Sequence, residues 1–157
     1  MTPDELVRLI AQYRAGIDAE LYLLRQLAEI SALQRSVTGN GDFAAFNAAS
    51  DDRDRIMRSL VTIEEGLREV RATLTEHREM AETIRGFEDV VVLHREAATL
   101  TVSILNADQA SLSALADAEL ARRTAVASLE RGENTLAAYR RVLAPPVASA
   151  TLLNRRG

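Results

Sequence analysis

The feature that most constrains the fold is a run of aliphatic residues between positions 56 and 74, spaced 4, 3, 4, 3 and 4 residues apart. This spacing is the a/d pattern of a heptad repeat, which places one apolar stripe on one side of a helix. Such a stripe needs partner helices to cover it, so the pattern predicts an all-α, coiled-coil-like bundle of long antiparallel helices. The residues are Ile56, Leu60, Ile63, Leu67, Val70 and Leu74.

Two further signals delimit the first two helices. The sequence TPDE at 2–5 predicts a helix start, because Thr2 can cap, proline suits the first helical position and Glu5 completes a capping box. Apolar residues then recur at spacings of three and four, which predicts a helix over about 3–37. The glycine-rich sequence TGNGD at 38–42 predicts a reversal. The second helix is expected over about 42–80.

The last helix is expected to be the longest. Residues 81–89 contain Gly86, the only helix breaker nearby, so we place the second reversal at about 82–87. No proline occurs between 87 and 143, which predicts a helix over that whole range. A break near 106–109 or 131–134 is the alternative, and the first of these would make a fourth helix in the bundle.

The expected helical domain therefore spans 1–143. Pro145 and Pro146 are expected to end the last helix, because proline lacks the N–H that a helix interior requires. The remaining residues, 144–157, show no periodicity and are expected to form a mobile basic tail.

Charge and composition limit the class of function. The net charge is −4, and every basic residue is an arginine. Residues 140–157 contain four arginines and no acid, whereas the rest of the chain sets 15 arginines against 23 acids. An acidic body of this kind argues against nucleic-acid binding, which needs a basic face. The chain lacks cysteine, a membrane-length apolar run and the features of a signal peptide, so we expect a cytoplasmic protein without stable membrane insertion.

No catalytic arrangement is apparent in the sequence. His77 and His94 are the two histidines, and they could face each other across the second reversal, but the bundle-type metal motif requires Glu three residues before His together with inward carboxylates. Here Leu74 occupies that position, and the a/d positions of the second helix are aliphatic. We therefore expect no enzyme activity, no catalytic residues, no cofactor and no metal.

The apolar residues near the end of the last helix are the candidate functional site. Partner helices of about 35 and 40 residues cannot cover a helix of 57, so part of this stripe should be exposed and available to a partner helix. The stripe could also fold back into the bundle, or it could pair with a second copy of the chain. The candidate residues are Leu112, Leu115, Val126, Leu129, Leu136, Tyr139 and Leu143.

Taken together, these segments resemble the FlgN-like flagellar export chaperones, a family of small, acidic helical proteins. The resemblance covers most of the chain and rests on AELYLLRQLAEI in the first helix, NGDFAAF at the first turn, IMRSLVTIEEGLREVRATL in the second helix and ILNADQASLSALADAEL in the last. Tyr139 near the helix end and the closing LLNRRG complete the pattern.

The resemblance implies a cytosolic chaperone that holds a helical terminal segment of flagellar hook–filament junction proteins before export. The candidate stripe would then bind the client. The tail would dock on a component of the type III export gate, with Leu152 and Leu153 as an anchor and Arg155 and Arg156 as steering charges. We expect a monomer or a weak homodimer. The alternative is a structural coiled-coil protein that oligomerises through its long last helix.

Overall fold

The computed structural model describes the backbone of residues 1–154 and the side chains of residues 1–142. The chain forms three long helices, α1 (Pro3–Gly39), α2 (Phe43–Glu76) and α4 (Phe87–Asn154), with a four-residue helix, α3 (Arg78–Ala81), between the last two. The predicted all-α class is confirmed, and no strand is present in the described backbone. No helix in this part of the chain combines the length and hydropathy needed to cross a bilayer.

The ends of α1 follow the local sequence. The Glu5 amide donates to the Thr2 hydroxyl (3.3 Å), and the Glu5 carboxylate accepts from the Thr2 amide (2.7 Å), which completes the predicted capping box. At the other end Gly41 has a φ of +74°, which a residue with a side chain rarely adopts. Asp42 then caps α2 by accepting from the Ala45 amide (3.1 Å).

The second helix ends earlier than the expected residue 80. His77 leaves the helical region with φ −105° and ψ 30°, so α2 stops at Glu76 and the short α3 follows. The reversal after α3 contains Gly86 at φ +98°, in the segment where it was expected. Helix α4 begins at Phe87, the predicted position.

The expected end of α4 at residue 143 is wrong, because the helix continues through Pro145 and Pro146 to Asn154. A proline ring fixes φ close to the helical value, so a helical backbone can include it, although each proline removes one N–H donor from the helix. The alternative breaks near 106–109 and 131–134 do not occur in the described backbone, and the chain has three long helices rather than four.

The chain divides into two compact units, Met1–Ala114 and Leu115–Gly157. The first unit ends well before the boundary expected at residue 143. It contains α1, α2, α3 and the first 28 residues of α4. The second unit contains the remainder of α4.

The first unit is an up-down-up bundle with two apolar clusters. In one cluster, residues near the start of α1 pack against the end of α2 and the start of α4; its members include Leu6, Ile10, Tyr13, Ile17, Leu67, Val70, Leu74, Ala81 and Val90. In the other, Leu27, Ile56 and Ile104 meet from α1, α2 and α4. The predicted heptad of α2 therefore supplies residues to both clusters, and α2 is antiparallel to its two neighbours.

A polar cluster joins the same three helices beyond the second apolar cluster. Arg53 of α2 donates to the buried Ser31 hydroxyl of α1 (2.8 Å) and forms an ion pair with Asp108 of α4. Gln34, also buried on α1, donates to the Ser50 hydroxyl (3.1 Å). These hydrogen bonds form only when the three helices lie at matching heights, so the cluster favours one axial register of the helices.

Candidate protein-binding surface

The second unit exposes large apolar side chains on α4. The exposed fractions are 72% for Leu129, 68% for Leu136 and 62% for Tyr139, and Val126 is also exposed. Since α4 is the only helix of this unit in the described backbone, no other element of the unit covers these side chains. The apolar stripe expected from the sequence is therefore solvent-exposed at these four positions.

The other predicted members of the stripe differ in their surroundings. Leu112 belongs to the first unit and is exposed, whereas Leu115 is half-buried. Leu143 lies outside the residues whose side chains are described. The proposed tail residues Leu152, Leu153, Arg155 and Arg156 also lie outside them.

The exposed stripe contains a heptad pattern of large and small residues that was not among the expected features. Residues 122, 125, 129, 132, 136 and 139 follow each other at spacings of 3, 4, 3, 4 and 3, so they share one face of the helix. We call these six residues the heptad face; they are Arg122, Ala125, Leu129, Gly132, Leu136 and Tyr139. Ala125 and Gly132 separate the three large residues Arg122, Leu129 and Leu136, and a Cβ built on Gly132 would meet no atom within 4 Å.

The alternation gives the heptad face a shape that suits another helix. Gly132 leaves a gap between the flanking Leu129 and Leu136 side chains, and large side chains of a second helix can enter such gaps. A glycine in an exposed helix interior costs about 1 kcal/mol relative to alanine. The signal that could have revealed this face is the recurrence of small residues at every seventh position, at 118, 125 and 132.

Charged residues flank the heptad face. Glu119 accepts from Arg122 (2.9 Å) and Arg123 (3.0 Å) on the same helix. These hydrogen bonds lower the pKa of the Glu119 carboxyl to about 2, so it is ionised at neutral pH. Glu133 and Arg140 lie on the same edge of the helix as Glu119, 14 and 21 residues further along, with Val126 between Glu119 and Glu133. This edge therefore carries acids at 119 and 133 and a base at 140.

A second polar arrangement lies within the first unit, beside an open groove of about 520 Å³. Arg71 of α2 donates to Glu64 (2.9 Å) and to the Tyr13 hydroxyl of α1 (3.1 Å), and that hydroxyl lies 3.3 Å from Nδ1 of His94 on α4. The hydrogen bonds from Arg71 lower the pKa of Glu64 to about 2. This network connects the three long helices and neutralises the charge of Glu64.

Glu20 is the buried acid of this arrangement. Its side chain on α1 is 8% exposed, and its Oε1 has no hydrogen-bond partner among the described residues. Burial, together with a hydrogen bond to Glu64 and the charge of that residue, raises the pKa of the Glu20 carboxyl to about 7. Glu20 was not among the expected site residues, although its position three residues after Ile17 and four before Leu24 places it on the inner face of α1.

The two histidines have separate partners. His77 Nδ1 lies 3.1 Å from the Thr73 carbonyl oxygen, whereas His94 pairs with Tyr13. No group of three or more metal-ligating side chains occurs in the described part of the chain. The network of Tyr13, Glu64, Arg71 and His94 is accounted for by helix packing, so the heptad face is the stronger candidate for function.

Searches against protein-family models, curated proteins and solved structures find no match to this chain.

Proposed function

We propose that this protein is a flagellar export chaperone of the FlgN-like type, as the sequence resemblance implies. It would act in the cytoplasm, hold a helical terminal segment of hook–filament junction proteins and deliver these clients to the export gate. The observation that supports this proposal most directly is the exposure of Leu129, Leu136 and Tyr139 on one face of α4. An apolar face of this kind can bind an amphipathic helix through anchors at three- and four-residue spacing.

The physical basis of client binding is burial of this face. Transferring a large apolar side chain from water to a protein interface contributes about 1.5–3 kcal/mol. Three or four such anchors give a substantial gross free energy, but ordering a flexible client segment costs about 2–5 kcal/mol or more. The balance is a reversible complex of moderate affinity, which suits a protein that must release its client.

The test is co-expression with the hook–filament junction proteins of the same organism, followed by pull-down. Substituting both Leu129→Glu and Leu136→Glu introduces two charges into the heptad face and should abolish client binding. The matched control is Ala127→Glu with Asn134→Glu, which adds the same two charges seven residues apart on the opposite side of the helix. This control should bind the client as the unmodified protein does. Client binding that survives the leucine substitutions would refute the proposal.

A structural role in assembly is the second candidate function, and the heptad spacing of the exposed face favours it. A structural coiled-coil protein would form a tight oligomer and would bind no junction protein. Sedimentation of the purified chain, together with the pull-down, distinguishes the two functions. A stable oligomer without any client would support the structural role.

A further inference from the structure

We propose that the heptad face pairs with the same face of a second copy, in an antiparallel arrangement with one defined register. In an antiparallel coiled coil, each a position of one helix meets a d position of its partner. Here the a positions are Arg122, Leu129 and Leu136, and the d positions are Ala125, Gly132 and Tyr139. This pairing concerns the protein alone and does not depend on the proposed chaperone function.

Residue size is self-complementary about a two-fold axis between Glu130 and Arg131. With this axis, Leu129 of each copy meets Gly132 of the other, and Leu136 meets Ala125. Each large side chain thus enters the gap left by a small one, and the two helices can approach closely. A parallel pair would instead place Gly132 opposite Gly132, which would leave an unfilled gap in the interface.

The outermost layer of the pair matches in chemistry as well as in size. Arg122 of each copy meets Tyr139 of the other, and a guanidinium over an aromatic ring is a favourable contact. In the first unit Arg71 already lies over the Tyr13 ring, with 5.6 Å between its Cζ atom and the ring centroid. A parallel pair would bring Arg122 against Arg122, with like charges in contact.

The flanking charges select this register over its neighbours. In the proposed register, Glu119 of each copy lies beside Arg140 of the other, so opposite charges meet at both ends. A shift of seven residues in one direction would bring Glu119 beside Glu133, and a shift in the other would bring Glu133 beside Glu133. Like charges at an interface are unfavourable, so both alternatives are disfavoured.

The pair would bury Leu129, Leu136 and Tyr139, the side chains whose exposure carries the proposed function. If that function holds, a client helix and a second copy compete for one face. Self-pairing would then protect the apolar face until a client is present.

Cysteine cross-linking tests the register directly, because the chain contains no cysteine of its own. One variant carries Ala125→Cys and another Leu136→Cys, and the two are mixed under mild oxidation. A disulfide needs Cβ atoms about 3.5–4.5 Å apart, which a facing pair can reach with small adjustments. Residue 125 of one copy and residue 125 of the other are 11 residues apart along the pair, about 16 Å at 1.5 Å per residue, and the same holds for residue 136. The mixture should therefore give a disulfide-linked dimer, whereas each variant alone should not.

Other cross-linking results would overturn the proposal. Dimers formed by each variant alone would indicate a parallel pair. The absence of any dimer in the mixture, with a monomeric mass at about 100 μM protein by sedimentation, would show that the face does not pair with itself.

A charge reversal gives a second, independent readout by sedimentation. Arg140→Glu places like charges at both ends of the pair and should raise the dimer dissociation constant by about 3- to 10-fold, since two exposed ion pairs are lost. The double variant Glu119→Arg with Arg140→Glu should restore the original dissociation constant. Equal weakening by the single and double variants would contradict the proposed register.

Discussion

Arg53 on α2 and Asp108 on α4 form a two-point ion pair between helices. Arg53 Nη1 donates to Asp108 Oδ1 (2.9 Å) and Nη2 donates to Oδ2, in a half-buried position next to Ser31. A planar guanidinium and a carboxylate bind well in this geometry, and partial burial limits screening by solvent. The pair therefore connects α2 and α4 near the end of the bundle that lies beyond the second apolar cluster.

We predict that Asp108→Ala lowers the free energy of unfolding by about 1–3 kcal/mol, because it leaves the Arg53 charge without its partner in a half-buried site. Urea denaturation at pH 7 measures this difference. The control is Asp52→Ala, which removes the exposed ion pair with Arg55. It should change the free energy of unfolding by less than about 1 kcal/mol. Equal effects of the two substitutions would show that burial does not strengthen the Arg53–Asp108 pair.

Glu20 should make stability depend on pH. Its pKa is about 7 in the folded state and about 4.5 when unfolded, so the folded state binds a proton more tightly. The stabilisation from this proton is fully present below pH 4.5 and is lost as pH rises through 7. The groups that face Glu20 include Glu64, Arg71 and His94, and the pKa of Glu64 is lowered to about 2, so Glu64 stays ionised in this range.

We therefore predict that Glu20→Gln becomes more stable relative to the unmodified protein as pH rises from 5 to 8. The gain should be about 1–3 kcal/mol, since one pKa unit corresponds to 1.36 kcal/mol. Urea denaturation of both proteins across this pH range measures the difference. A difference that stays constant between pH 5 and pH 8 would show that Glu20 does not retain its proton in the folded state.

Gly16 and Gly66 should respond in opposite ways to alanine. A Cβ on Gly16 would lie 2.5 Å from Cδ2 of Leu67, so Gly16→Ala should lower the free energy of unfolding by about 1–3 kcal/mol through overpacking. A Cβ on Gly66 would meet no atom within 4 Å, so Gly66→Ala should raise it by about 0.5–1 kcal/mol through helix propensity. Thermal unfolding of both variants measures these changes. A stabilised Gly16→Ala variant would show that Leu67 can move aside.

Leu129→Glu with Leu136→Glu should leave the monomer folded. Both side chains are mostly exposed, so their substitution removes little packing within one chain. We expect the helical circular dichroism at low micromolar concentration to match that of the unmodified protein, and the free energy of unfolding to change by about 0.5 kcal/mol or less. Loss of the fold would instead indicate that these leucines belong to an internal core.

The sequence by itself determined the helical class, the start of each long helix and the turns. The capping box at Thr2, the glycines at 41 and 86 and the heptad from Ile56 to Leu74 act within one or two turns of chain, so their effect can be predicted from local spacing. The same rules failed at Pro145 and Pro146, where a local penalty did not end the helix.

Only the tertiary structure decided which polar groups meet. Glu20, Tyr13, Arg71 and His94 lie on three helices, and the hydrophobic pattern fixes the inward face of each helix without fixing its axial position. The partners of a buried acid depend on that axial register, and so does its pKa. Helical spacing alone also does not show whether another helix or water covers Leu129 and Leu136. The expectation that they are exposed came from the helix lengths, and it left open a stripe folded back into the bundle, which the structure does not show at these positions.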